Sequence, residues 1–162
     1  MYYDFFETGL IGTLTLLGDA AGLRQIDFEK ARYPIAIQDE WQKNPAYFKP
    51  LKTLLEAYFR GAPRQFDIPL APVGTSFQLK VWRALRDIAH GELASYKTIA
   101  QAIGNPKAAR AVGGAIARNP IPIIVPCHRV IGSDGTLTGF GGGLTTKQQL
   151  IHLERSGRVT SQ

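Results

Sequence analysis

The chain has 162 residues, 44% of them hydrophobic, a net charge of +6 and a pI near 9.6, enough to bury one good core or two small ones. A single cysteine excludes an internal disulfide, and no run of about 18 apolar residues is present to cross a membrane. The charge is uneven, with 8 Lys+Arg against 9 Asp+Glu in residues 1–71 and 11 against 4 in residues 72–162, so a polyanionic partner belongs to the second half unless that surface serves solubility alone.

Met1-Tyr2-Tyr3-Asp4 lacks the basic and apolar regions of a signal peptide. A reducing compartment is expected, the cytoplasm, or the nucleus in a eukaryote. Apolar runs over Tyr2 to Phe6, Leu10 to Leu17 and Leu23 to Phe28, with a Gly18-Asp19 turn, predict a small antiparallel sheet. Tyr47, Phe48, Leu51, Leu54, Leu55, Tyr58 and Phe59 recur at helical spacing and stop at Gly61, predicting a covering helix. Pro63, Pro69, Pro72 and Gly74 then mark a crossing between an α/β unit over 1–71 and a mostly helical unit over 72–162.

In the second unit Thr75 or Ser76 caps a helix with Phe77, Val81, Leu85 and Ile88 on its apolar face, ending at Gly91. Ser95 caps a shorter one carrying Tyr96, Ile99, Ala100 and Ile103. Gly104-Asn105-Pro106 supplies a stop, a cap and a first-turn proline for a third helix from Lys107 to Arg118. Helices two and three form a helix-turn-helix or an ordinary helical hairpin. The third is built of Ala and Gly around Arg110, too poor in base-reading side chains for a sequence-specific regulator. Its small residues suit close approach to DNA or to a neighbouring helix, and the two uses fit opposite faces.

Ile123-Ile124-Val125-Pro126-Cys127-His128-Arg129-Val130 sets the lone thiol beside an imidazole after an apolar run. A buried structural cysteine is the competing reading. For His128 to act as base, the chain must bend after Pro126 or a water must bridge the pair, because neighbours in a strand diverge. Of the two acidic residues after Cys127, Glu154 on a helix over 146–155 suits the orienting carboxylate better than Asp134, which sits in a Ser133-Asp134-Gly135 turn. Thiol and imidazole would also serve a cysteine hydrolase. That reading leaves the basic helical half unexplained.

Pro126-Cys127-His128-Arg129-Val130 resembles the active-site signature of the O6-alkylguanine-DNA alkyltransferases, also called methylated-DNA-protein-cysteine methyltransferases. The similarity runs through Gly91-Glu92, Ser95-Tyr96, Gly104 to Gly114, Asn119-Pro120 and Gly142-Gly143 to Glu154, nearly the whole second half. It implies a ribonuclease-H-like first unit and a winged-helix-like second unit that acts on double-stranded DNA as a monomer, away from membranes, with no cofactor. The implied activity is a single irreversible transfer of an alkyl group from a flipped O6-alkylguanine, or O4-alkylthymine, to Cys127.

By the same likeness His128 deprotonates Cys127 through a water, Glu154 supports the imidazole, Asn119 is the hinge and Tyr96 donates to the leaving guanine. Val130, Phe140, Gly141, Ser133 and Lys147 would line the base, with the Cys127 and Val130 carbonyls accepting from its exocyclic amine. Arg110 would fill the vacated stack, and Ala109, Gly113, Ser95 and Thr98 would face DNA. Phe140 and Gly141 stand where some members carry Tyr and Ser, so the pocket has two fewer hydroxyls. One cysteine cannot build the family's cysteine metal cluster, and no metal is expected. The alternative is an alkyltransferase-like protein that binds lesions without reacting, a group whose known members lack the cysteine.

Overall fold

The computed structural model describes residues 1–31, 34–62, 65–137, 140 and 142–160, with side chains to 156. Strands β1 (Tyr2–Glu7), β2 (Thr13–Asp19) and β3 (Gly22–Asp27) form an antiparallel meander. Strand β2 starts at Thr13 rather than at Leu10. Gly9 and Gly12 take positive φ, and Thr8 Oγ1 accepts from the Ile11 N–H at 2.8 Å, which closes residues 8–12 into a loop. The second turn falls beyond Gly18-Asp19, which remain in β2 next to a register shift at Leu17/Gly18. The sheet is also not wholly antiparallel, because a two-residue strand β4 (Gln42–Lys43) pairs parallel to β1 and gives the order β3-β2-β1-β4.

Helix α1 (Pro45–Phe59) covers this sheet. Asn44 caps it by accepting from the Tyr47 N–H, and Pro45 occupies the first helical position, where no N–H is missed. At its end Ala62 N–H bonds the Ala57 carbonyl and Gly61 N–H the Tyr58 carbonyl, with Gly61 at φ +88°. That glycine stop fixes the last turn, and with it Tyr58. Phe48, Leu51, Leu55 and Tyr58 join Leu14, Leu16 and Ile26 in the core, each contributing about 2 kcal/mol of burial.

The proline-rich crossing docks on the edge of β3. Leu23 N–H donates to the Pro69 carbonyl and Ala71 N–H to that of Leu23. Helix α2 (Ser76–Leu85) begins with the Thr75/Gln78 capping box and ends six residues before Gly91, because Arg86, Asp87 and Ile88 bond three residues back in a tighter coil. Strand β5 (Ala94–Ser95) leads into α3 (Tyr96–Ala102), and α4 (Ala109–Ala117) follows.

The start of α4 differs from expectation. Gly104 N–H bonds Gln101 and Asn105 N–H bonds Ala100, so both residues close α3, and Ala108 begins α4 without a side-chain cap. Trp82 Nε1 donates to the Ala115 carbonyl at 2.8 Å, clamping α4 to α2. A 3-10 turn (Cys127–Arg129), strand β6 (Val130–Ile131) and helix α5 (Leu144–Thr160) complete the chain. β6 pairs parallel to β5, which ties the Cys127 segment to the start of α3. The apolar cluster is continuous across both halves, from Leu14 and Leu55 to Val81, Ile121, Val130 and Leu150.

Candidate active site

Cys127 is held by two successive tight turns. Pro126, at φ −80° and ψ 66°, lets the Cys127 N–H bond the Val125 carbonyl at 2.8 Å, an inverse γ-turn. Arg129 N–H then bonds the Pro126 carbonyl, and the chain coils through Cys127, His128 and Arg129. The bend that adjacency demanded after Pro126 is therefore present. Upstream, Ile123 lies in the left-handed region at φ 76° although β-branched and 1% exposed. Such a conformation costs on the order of 1–3 kcal/mol and persists only where its surroundings over-determine it.

Asn119 supplies that determination. Its Oδ1 accepts from the Ile121 N–H at 3.0 Å and its Nδ2 donates to the Val125 carbonyl at 2.8 Å. The same amide also favours the thiolate of Cys127. One amide side chain between α4 and Cys127 thus holds two backbone groups of this segment.

Burial pushes the Cys127 thiol up to about 11, against the opposing pull of the Asn119 amide and the Lys147 charge. It is a thiol at neutral pH. His128 is fully buried, and burial lowers its pKa despite the Glu154 carboxylate 2.5 Å from its Nε2. Burial alone would raise Glu154, but His128 and then Arg129 outweigh it and hold the carboxyl far below the usual range. An ionised carboxylate only accepts, so Nε2 carries the ring hydrogen and Nδ1 is the basic nitrogen. Nδ1 is buried with no hydrogen-bond partner among the described residues.

Glu154 takes more donors than the single imidazole expected. Gly91 N–H and Arg129 Nε reach Oε1 at 3.0 and 2.9 Å, and Tyr58 Oη and Arg129 Nη2 reach Oε2 at 2.6 and 3.1 Å. Arg129, beside the Cys127-His128 pair, carried a local sequence signal. Tyr58, 96 residues away on α1, carried none beyond its helical spacing.

The remaining predicted positions fall into two groups. Around the turn, the Cys127 carbonyl accepts from the Val130 N–H and the Val130 carbonyl from Lys147 Nζ at 2.5 Å. Each oxygen keeps a second lone pair. Lys147 is buried and Phe140 half-buried, its ring 5.4 Å from that of Phe28. Ser133 lies on the exposed turn, and Gly141 is outside the described residues.

On the helix-turn-helix, Arg110 is exposed near the start of α4 with Ala109 half-buried beside it. Ser95 Oγ accepts from the Thr98 N–H and bonds the Thr98 hydroxyl, so both cap α3. A Cβ on Gly113 would make only ordinary contact with the Tyr96 ring, at 3.7 Å, and one on Gly114 would meet open space. Packing among the described residues does not call for these two glycines. Tyr96, half-buried at the first turn of α3, stands against α4 at this point.

Fold and site place a buried thiol next in the chain to a buried His128–Glu154 pair, in a segment that β6 ties to the start of α3, the arrangement of a group-transfer protein. The family models agree: residues 1–72 match the ribonuclease-like domain and residues 76–156 the DNA-binding domain of 6-O-methylguanine DNA methyltransferase. The chain is 51% identical over 156 residues to the methylated-DNA–protein-cysteine methyltransferase of Methanosarcina acetivorans, covering 96% of this chain and 99% of the relative. It is 47% identical to that of Haemophilus influenzae, covering 96% and 87%. A crystal structure of Mycobacterium tuberculosis OGT in complex with DNA superposes with a TM-score of 0.88 at 44% identity, covering 97% and 94%. The chain belongs to the 6-O-methylguanine DNA methyltransferase family, and is a transferase.

Proposed function

We propose that this protein removes the alkyl group from O6-alkylguanine, and from O4-alkylthymine, in double-stranded DNA by accepting it on Cys127 once per molecule. The observation that carries this reading is a fully buried His128 with Nε2–H fixed on Glu154 and Nδ1 left basic, in a turn that begins with the thiol. In the transfer the sulfur–carbon bond forms as the carbon–oxygen bond of the lesion breaks. The thiol proton passes through a water to His128 Nδ1, and the Tyr96 hydroxyl donates a hydrogen bond to the departing base, which takes its proton from water as the imidazolium gives its own back. Asn119 and Lys147 stabilise the sulfur as it loses its proton. A thioether has no exit route, and a chain with one cysteine offers no second thiol to resolve it.

DNA is engaged through α3 and α4 of the 72–162 unit, with the first unit over 1–71. Gly113 and Gly114 let the backbone of α4 approach the duplex, Arg110 takes the place of the flipped nucleotide, and Ser95, Thr98 and Ala109 flank it. Val130, Phe140, Gly141, Ser133 and Lys147 surround the base. The protein acts as a monomer in the cytoplasm, and none of its described helices is long and apolar enough to cross a membrane.

Incubation with a duplex carrying O6-methylguanine, followed by peptide mass analysis, tests the reading. One methyl mass on the Cys127 peptide and restored guanine are expected, with Cys127→Ala binding the lesion without repairing it. An unmodified thiol beside an intact lesion overturns it in favour of lesion binding alone.

A further inference from the structure

Tyr58 stands apart from the second unit in sequence, yet it reaches the centre of the relay. Its side chain is 0% exposed, and its hydroxyl donates to Glu154 Oε2 at 2.6 Å, the oxygen that also accepts from His128 Nε2. The ring is held edge-on by Phe59 and His90, at 5.1 and 5.9 Å, and against Phe66 at 5.8 Å. The glycine stop after α1 begins at the Tyr58 carbonyl, so the backbone is pinned as well. A buried tyrosine with this much support has little freedom to leave the carboxylate.

We propose that Tyr58 is a positioning residue of the relay, holding Glu154 Oε2 in place and sharing that oxygen with His128 so that the first unit sets how strongly the imidazole binds a proton. The proposal rests on the alkyl-transfer reading for its consequence, though not for its chemistry. Three donors, Tyr58 Oη, His128 Nε2 and Arg129 Nη2, share that oxygen and compete for its charge. With the phenol present, less negative charge remains to stabilise a proton on His128. Without it, the carboxylate draws the imidazolium more strongly.

The other groups around His128 are Arg129 and Cys127 on its own turn and Lys147 and Glu154 on α5, and the His90 ring lies 5.9 Å from that of Tyr58. Removal of the phenol leaves all of them in place.

The test is the titration of the His128 ring by NMR in unreacted protein, in wild type and Tyr58→Phe. Tyr58→Phe should move the midpoint upward by about one unit, and the acid limb of the single-turnover transfer rate should move with it. A folded variant whose midpoint stays within experimental error of wild type overturns the proposal, even if its thermal midpoint drops, because Tyr58 would then serve packing alone. Should Tyr58→Phe not fold, 3-fluorotyrosine placed at position 58 keeps the shape and strengthens the donor, and a downward shift is expected; no shift is equally fatal. Failure of wild type to methylate Cys127 would count against the alkyl-transfer reading and leave the titration result intact.

Discussion

Lys147 Nζ on α5 donates to the Val130 carbonyl at 2.5 Å, and its charge favours the thiolate of Cys127 three residues earlier in the chain. One buried ammonium thus braces the far end of the Cys127 turn and counters the burial that holds the thiol protonated. Burial also lowers the Lys147 pKa, while Cys127 opposes that shift.

Lys147→Met keeps the stem and removes the charge. The Val130 carbonyl loses its donor at a cost of about 1–3 kcal/mol, and the thiol titrates at a still higher pH. Single-turnover transfer should slow by about tenfold or more, since every 1.4 kcal/mol is a factor of ten, while binding to undamaged DNA changes little. A thiol titration followed by ultraviolet thiolate absorbance checks the cause directly, and an unchanged curve would remove Lys147 from the chemistry.

Stability should form a plateau bounded by the buried relay. His128 and Glu154 have folded pKa values below their ordinary 6.5 and 4.5, so on the acid side the unfolded chain binds protons first and stability falls as pH drops below about 6.5. Cys127 is raised from 9.0 to about 11, so the unfolded thiol ionises first and stability falls as pH climbs between those values. Two units correspond to about 2–3 kcal/mol. Calorimetry from pH 9 to 11 should show a larger alkaline loss in unmodified protein than in protein S-methylated at Cys127, where the thiol has no proton to lose and only the raised Tyr47 and Tyr58 hydroxyls still contribute.

Local patterns revealed most elements and the turn that carries Cys127. Alternation placed the strands, Thr75 and Ser95 announced two caps, and the apolar run to Pro126-Cys127-His128 marked the turn, while the Asn44 cap of α1 went unread. Errors arose where one residue satisfies two local rules. Asn105 has the chemistry of a cap for α4, but its N–H was already required to close α3 behind Gly104. Leu10 extends an apolar run, but Gly9 and Gly12 need a loop there. The donors that converge on Glu154 from Tyr58 and Gly91 are set by tertiary packing, and no periodicity encodes a partner 96 or 63 residues distant.

Ile123 offers a test of stored backbone strain. Ile→Ala in a core commonly costs about 2–5 kcal/mol, and Gly ordinarily costs up to about 1 kcal/mol more than Ala. At φ 76° that order should reverse, since glycine alone adopts the conformation freely. Urea midpoints are therefore expected in the order wild type, Ile123→Gly, Ile123→Ala. Ile123→Ala proving the more stable variant would show that the left-handed backbone carries no penalty here.

Arg110 separates base extrusion from chemistry. It is exposed on α4, beside glycines that no contact among the described residues requires, and lies apart from the relay formed by Cys127, His128 and Glu154. The role proposed for it, replacing a flipped nucleotide, predicts that Arg110→Ala slows transfer from duplex O6-methylguanine by about tenfold or more, because unstacking costs a few kcal/mol and the variant leaves the gap unfilled. Transfer from the free O6-alkylguanine base needs no extrusion and should proceed at the wild-type rate. Equal slowing on both substrates would place Arg110 in the transfer step itself, and no slowing on the duplex would leave the arginine as one more phosphate contact, visible only as a shallower salt dependence of binding.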